Sequence, residues 1–301
     1  MNFKKFFNVK KTITHKIITI LGIKIKIKRH KQNMSKDDIS YICVKEMYSA
    51  LEVSKLHTKT FPPFEYCHAN DNIAIIGCGP SIKYYNNELK TINIALNDAV
   101  FYNNYKFDYL FNWDTGVTIH RPNWNEEVNS IKCKKFYGHC LNQNVLSPIK
   151  TPTDKVNQIY HFYYSSRWNW PAFEFGKEIH QDISTYPLAD FGSVSFGALH
   201  FALWTYPKKI FLIGLDTTSK GRIIDEDNAW YPVERMMNGY VKFKDFITSH
   251  YPNVEIISIN PVGLKGLFRD VYTQSYVDAH PELKNENVEI LKMEETENAE
   301  W

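Results

Sequence analysis

From residue 72 onward the chain alternates short apolar runs with stretches of helical period. IAIIG (73–77), INIALN (92–97), FDYLFNW (107–113), KIFLIGLD (209–216) and VEIISIN (254–260) read as strands. KFYGHC (135–140) and QIYHFYY (158–164) carry the same signal more weakly. These runs show little alternation of apolar with polar residues, as expected of strands buried on both faces. SVSFGALHFALWTY (193–206) reads as a helix of small residues, and VERMMNGYVKFKDFITSHY (233–251) as an amphipathic one. Strands joined by helical stretches predict an α/β fold. The expected form is a Rossmann-like, doubly wound, mostly parallel sheet with helices on both faces.

Ahead of this region, residues 35–60 read as a helix, with Asp37 and Asp38 in its first turn. TFPPFEY (60–66) reads as a rigid linker. IKIKIK (23–28) alternates strictly and predicts a two-faced strand or hairpin arm, with Leu21-Gly22 as its turn. The expected organisation is therefore a basic arm over 1–34, a helical segment and linker over 35–66, and a catalytic domain over 67–280. A small lid at about 217–235 and an acidic tail over 281–301 complete it.

Composition changes this picture in two places. Of 301 residues 44% are hydrophobic and 15% aromatic, enough for a sizeable core. The net charge of +3 conceals a division: residues 1–31 hold ten Lys/Arg and no Asp/Glu, which leaves the other 270 at −7. A body of that sign is not expected to bind nucleic acid. The arm, with isoleucines between its lysines, predicts a tether to an anionic inner-leaflet surface, because each Lys there contributes on the order of 1 kcal/mol. Five cysteines without a C-x-x-C pair point to a reducing compartment and give no zinc signature. No apolar run approaches the roughly 20 residues of a membrane span. The expected location is cytoplasmic, peripherally associated with the inner membrane; an oligomer is compatible with all of this.

In open α/β sheets ligands bind beyond the carboxyl ends of the strands. There the sequence places Gly77-Cys78-Gly79-Pro80-Ser81, then Asn97-Asp98, then Asn112-Trp113-Asp114, then Asp216-Thr217-Thr218. Glycines allow a sharp turn and close approach to a ligand, and the N–H groups of such a turn form an anion site. Pro80 suits a first helical turn, and Ser81 can cap or donate. The loop is neither G-x-G-x-x-G nor a Walker A, so neither nicotinamide nor P-loop ATP chemistry is expected. Asn97 and Asn112 can bond phosphate, ribose or base. Gly192, Ser193 and Ser195 stand at a helix start, where hydroxyls and free N–H groups suit a phosphate or carboxylate. Asp114 and Asp216 could pair on a metal only if their loops converge, and no third ligand has motif spacing, so no metal site is assigned. His120 could also reach this rim.

IAIIGCGPSIKYY, ALNDAVFY, YLFNWD, GSVSFGALHFALWTYPKKIFLIGLD and VEIISINPVGLKGLF together resemble, in order and spacing, the bacterial sialyltransferases of glycosyltransferase family 42. They also resemble the wider Maf flagellin-glycosylation and MptE-like pterin pyrophosphokinase group. The resemblance spans roughly 72–270. It implies a Rossmann-like sheet that takes a CMP-activated acidic sugar as donor and a surface glycan as acceptor. The implied transfer is inverting and metal-independent and requires no cofactor. It assigns Gly77, Cys78, Gly79, Pro80 and Ser81 to the nucleotide cradle, with Cys78 where the family has Asn. Asn97 and Asn112 match its nucleotide-contacting asparagines, and Gly192-Ser193 its Ser-Gly pair in reverse order. Asp98, Asp114, Ser195 and Thr217 join this donor-binding set by position.

The family's catalytic His precedes the helix before the INP-type strand. Here Arg235 and its neighbours occupy that place, and no His lies between His200 and His250. The candidates for the chemistry are Asp216, Asp225, Asp227, Glu234 and His280, with Arg235 able to neutralise a leaving phosphate. RIIDEDNAWYPVER (222–235), which also holds Glu226, is the expected lid, with Trp230 and Tyr231 able to close over a sugar. Two other readings stay open. One is an MptE-like pyrophosphokinase that uses ATP and Mg²⁺; the other is a nucleotide-binding accessory protein without catalysis.

Overall fold

A computed structural model of the protein describes residues 7–11, 15–20, 23–28, 36–102, 105–113, 124–140, 154, 157–165, 178–218 and 233–292. Side chains are described from residue 47, and in the stretch 124–140 from residue 126.

The strands of the main sheet are β4 (Asn72–Ile76), β5 (Ile92–Leu96), β6 (Tyr109–Asn112), β7 (Lys134–Cys140), β8 (Ile159–Ser165), β9 (Leu188–Ala189), β10 (Lys209–Ile213), β11 (Glu255–Ile259) and β12 (Arg269–Val271). Three strands, β1 (Phe7–Lys11), β2 (His15–Ile20) and β3 (Ile23–Lys28), precede them in a separate sheet. The main sheet has the order β12-β11-β10-β4-β5-β6-β7-β8-β9, and all eight pairings are parallel. The chain therefore winds outward from β4 to β9, then returns to lay β10 on the free side of β4. The reversal of winding lies between β4 and β10, where doubly wound sheets open a crevice.

Both faces of the sheet are buried, and adjacent residues serve opposite cores. Ile73, Ile75, Ile210, Leu212 and Ile256 enter one cluster. Ala74, Ile76, Phe211, Ile213 and Ile257 enter the other. This is why the strands read as unbroken apolar runs. On the first face lies α3 (Val194–Trp204), every residue of which is buried. Over it packs α4 (Val233–His250), through Met236, Gly239, Tyr240, Phe243, Phe246 and Ile247, a 3.6-residue stripe. Gly239 has no room for a Cβ, which would stand 2.5 Å from Phe191 Cβ. The second face is covered by 3₁₀ turns at Pro80–Tyr84 and Asn97–Phe101 and by α2 (Trp124–Ser130), which contributes buried Val128.

The helix α1 (Lys36–Thr60) ends as part of the sheet edge. Strand β9 is only two residues long and pairs Tyr164 and Ser165, leaving the preceding part of β8 without a strand neighbour on that side among the described residues. There the Thr60 hydroxyl donates to the His161 carbonyl (3.1 Å), and His57 Nε2 accepts from the Tyr163 N–H (2.8 Å). Two side chains on one turn thus replace a strand partner. The stretch expected to be a linker carries Phe61 and Phe64, both in the core, so it does not run free between units. Likewise 281–292 packs on the body: Leu283 is buried and Ile290 bridges Tyr272.

The N-terminal sheet is antiparallel, with Ile18 opposite both Val9 and Ile25, and Ile20 opposite both Phe7 and Ile23. Residues opposite one another share a face. Phe7, Val9, Ile18, Ile20, Ile23, Ile25 and Ile27 therefore fall on one face with Lys11 and Lys16, while Lys10, Lys24, Lys26 and Lys28 fall on the other. The expected hairpin arm is realised with a third strand; Leu21-Gly22 lies outside the described residues. No helix among the described residues is long and apolar enough to cross a membrane.

Candidate functional site

The loops that leave β4 and β10 are tied to each other. Gly77 N–H donates to the Ile213 carbonyl and Gly79 N–H to the Gly214 carbonyl, each at 2.8 Å. Gly214 turns the chain with φ +63°. A Cβ on Gly77 would lie 2.6 Å from the Gly214 oxygen, and one on Gly79 would lie 2.6 Å from Asp216 Cγ. The glycines are thus required by the neighbouring loop. That is a different reason from the approach of a ligand, which their spacing suggested.

Asp216 is 8% exposed. It accepts from the Ser81 N–H (3.0 Å) and from the Ser81 hydroxyl in a short bond. Burial raises its pKa above the ordinary carboxylate range, and the two Ser81 bonds oppose the rise. Thr217 follows with φ +49°, an unusual conformation for a β-branched residue, and its loop is pinned by the Gly263 N–H on the Asp216 carbonyl (2.7 Å).

Between these loops and the start of α3 lies a cleft. Of the expected residues, Gly77, Cys78, Gly79, Asn97, Ser193, Asp216, Thr217 and Thr218 line it. Space open to a water-sized sphere is about 120 Å³, where a single water needs roughly 10–15 Å³. Asn97 holds φ +49°, and its Oδ1 is buried with no hydrogen-bond partner among the described residues. Ser193 caps α3 and accepts from the Ser195 N–H. Just before it, Gly192 adopts φ +94° and donates to Asp190. The cleft also has an apolar wall that the sequence reading did not single out: Leu96, Val194, Leu215 and Met236, with Tyr240. Met236 and Tyr240 lie four apart on the buried stripe of α4. Their position in its first two turns, nearest the strand ends, is the one sequence signal that separates them from core.

The other expected residues stand apart. Pro80 begins the 3₁₀ turn behind the loop, and Ser195 lies beneath Ser193. Asp98 and Asn112 are buried, at 6% and 1% exposure, and are not among the described lining residues. Arg235 faces buried Asp190 at 3.8 Å; burial lowers its pKa and Asp190 opposes this. Glu234 is exposed at the start of α4. His280, at the end of α5 (Gln274–Ala279), stacks on Tyr276 with ring centroids 3.9 Å apart and bonds the Tyr276 carbonyl. None of these three lines the cleft as described. Asp114, His120, Asp225, Glu226, Asp227, Trp230 and Tyr231 lie outside the described residues. Among the described residues no group of three or more His, Cys, Asp or Glu is placed to hold a metal.

The arrangement offers hydroxyl and N–H donors at the α3 end, a carboxylate on the opposite loop, and an apolar wall between them. That suits a ligand with an anionic oxygen at one end and a flat or apolar part at the other. In comparisons with known proteins, no family model matches the chain and no curated protein matches it.

Proposed function

We propose that the protein is a glycosyltransferase that moves a sialic-acid-like or other acidic sugar from a CMP-activated donor to a bacterial surface glycan. The observation that carries this reading is the convergence of the β4 loop, the β10 loop and the α3 cap on one cleft at the reversal of winding. The motif order resembling family 42 supplies the choice of donor. In this reading Ser193 and the start of α3 take the phosphate, and the Gly77–Ser81 loop with Asn97 takes the nucleoside. The acceptor hydroxyl oxygen attacks the anomeric carbon, CMP leaves with the bonding pair, and Asp216 receives the hydroxyl proton. A carboxyl whose pKa is raised by burial is the better base for that step, worth about 10²–10⁴-fold.

One observation favours a second reading, a nucleotide-binding protein without catalysis. Asp216 already holds Ser81 twice, and Glu234, Arg235 and His280 are set away from the cleft. Binding of CMP with release of sugar from a CMP-activated donor supports the enzyme, and binding without release supports the accessory protein. Binding of ATP only with Mg²⁺ would point instead to phosphotransfer.

The same proposal places the protein at the cytoplasmic side of the inner membrane. Its support is the N-terminal sheet, apolar on one face, with ten basic residues and no acidic one in 1–31. The apolar face enters the headgroup boundary of an anionic bilayer, and the flanking lysines reach its phosphates.

A further inference from the structure

The floor of the cleft at α3 contains a chain of three hydroxyls. Tyr240, fully buried, donates to Ser195 Oγ at 2.7 Å, and Ser195 Oγ donates to Ser193 Oγ at 2.9 Å. The Ser195 N–H also points to Ser193 Oγ, at 3.3 Å. The direction of the chain follows from counting protons. If it ran the other way, the Tyr240 proton would need another acceptor, and none is found among the described residues. A buried orphan donor costs about 1–3 kcal/mol. With the chain directed outward, both acceptor positions of Ser193 Oγ are filled by Ser195, and a serine hydroxyl has only two. Its own proton, without a partner among the described residues, is left to the cleft.

We propose that Tyr240 is a positioning residue: through Ser195 it commits the Ser193 hydroxyl to donate, and so makes this end of the cleft select a phosphate oxygen. The inference rests on reading the cleft as a nucleotide site and adds a residue to which the resemblance assigns no role. A ligand group that must itself donate finds no acceptor at Ser193. A phosphate, which only accepts, gains the hydroxyl and the positive end of α3 together.

The test is calorimetric binding of CMP, cytidine and inorganic phosphate to the wild type, Tyr240→Phe, Ser193→Ala and the double variant. Tyr240→Phe keeps the ring in the core and removes only the hydroxyl. Its expected effect is CMP binding weaker by about 3–10-fold, cytidine binding unchanged, and no further loss in the Ser193→Ala background. Ser195→Ala, which breaks the chain at its middle, should repeat the loss and serves if either other variant does not fold. Unchanged CMP affinity, equal weakening for cytidine, or full additivity with Ser193→Ala overturns the proposal. Wild type that binds inorganic phosphate but not CMP sinks the nucleotide reading alone, and the cycle is then decided on phosphate. Wild type that binds neither overturns both.

Discussion

Gly79 stands where two loops cross, and its missing side chain is what lets them cross. Its φ of −66° is open to any residue, so the constraint is space and not backbone conformation. The atoms in the way are the Gly214 carbonyl oxygen at 2.7 Å and Asp216, itself held by Ser81. Backbone and a bonded carboxylate cannot step aside without loss. Gly79→Ala should therefore destabilise the protein by about 1–3 kcal/mol, as overpacking does, even with no ligand present. Urea unfolding of the ligand-free variant measures this; a stability equal to wild type would show that the loops have slack. The sequence marks Gly77 and Gly79 as special but not why, because the loop they meet is more than 130 residues away in the chain. Tyr240 is illegible for a related reason: on the stripe of α4 it looks like any core aromatic. Only its partner on α3 gives it a role.

At the scale of elements, three buried histidines act as fixed neutral joints. His57 Nδ1–H donates to the Ile183 and Tyr186 carbonyls at 2.8 and 2.9 Å, while Nε2 accepts from Tyr163. His200 is the mirror case: Nε2–H donates to the His180 carbonyl at 2.6 Å and Nδ1 accepts from the Ala189 N–H. In each ring the second proton would have to enter against an N–H. His161, on β8, has Nδ1 against His139 Nε2 at 2.8 Å. Burial is the first cause that takes all three down to a pKa of about 4. The unfolded chain takes up these protons near pH 6.5, the folded chain only near 4, so their contribution is intact above 6.5 and is lost as pH falls toward 4. Each removes up to about 1.4 kcal/mol per pH unit across that window. The urea midpoint should fall steadily from pH 7 to 4.5; a flat profile would contradict the neutral joints. The strands themselves are plain in the sequence because burial on both faces leaves them apolar throughout. Strands β9 and β12, at two and three residues, are too short to carry any period. The end of α1 reads as a surface helix because its anchoring residues, His57 and Thr60, are polar.

For the whole molecule, charge and fold are segregated: a basic N-terminal sheet and a net acidic α/β body. The alternation of IKIKIK makes the two faces of that sheet legible. The register that gathers Phe7, Val9 and every isoleucine of these strands but Ile17 onto one face is a matter of pairing, which no single strand encodes. The protein should sediment with vesicles containing phosphatidylserine, and less so as salt rises and the screening length shortens to about 8 Å near physiological strength. Replacing Lys11 and Lys16, the two lysines that share the apolar face, together by Glu should weaken this sharply. Undiminished sedimentation of that variant would show that the lysines do not carry the interaction. The lid expected over 217–235 and Asp114 are legible as candidates only, since most of that stretch and Asp114 itself lie outside the described residues.

The central claim is that the cleft between the β4 and β10 loops is a nucleotide site for a CMP-linked donor. It is tested most directly by thermal unfolding of the full-length protein with CMP, CDP, UDP, GDP and ATP, each with and without Mg²⁺. A ligand that binds the folded state at 100 times its dissociation constant adds about 2.7 kcal/mol of stability. The account predicts a rise in midpoint with CMP that needs no Mg²⁺ and exceeds that with the other nucleotides. No shift with CMP at millimolar concentration, or a shift with ATP alone that requires Mg²⁺, would contradict it.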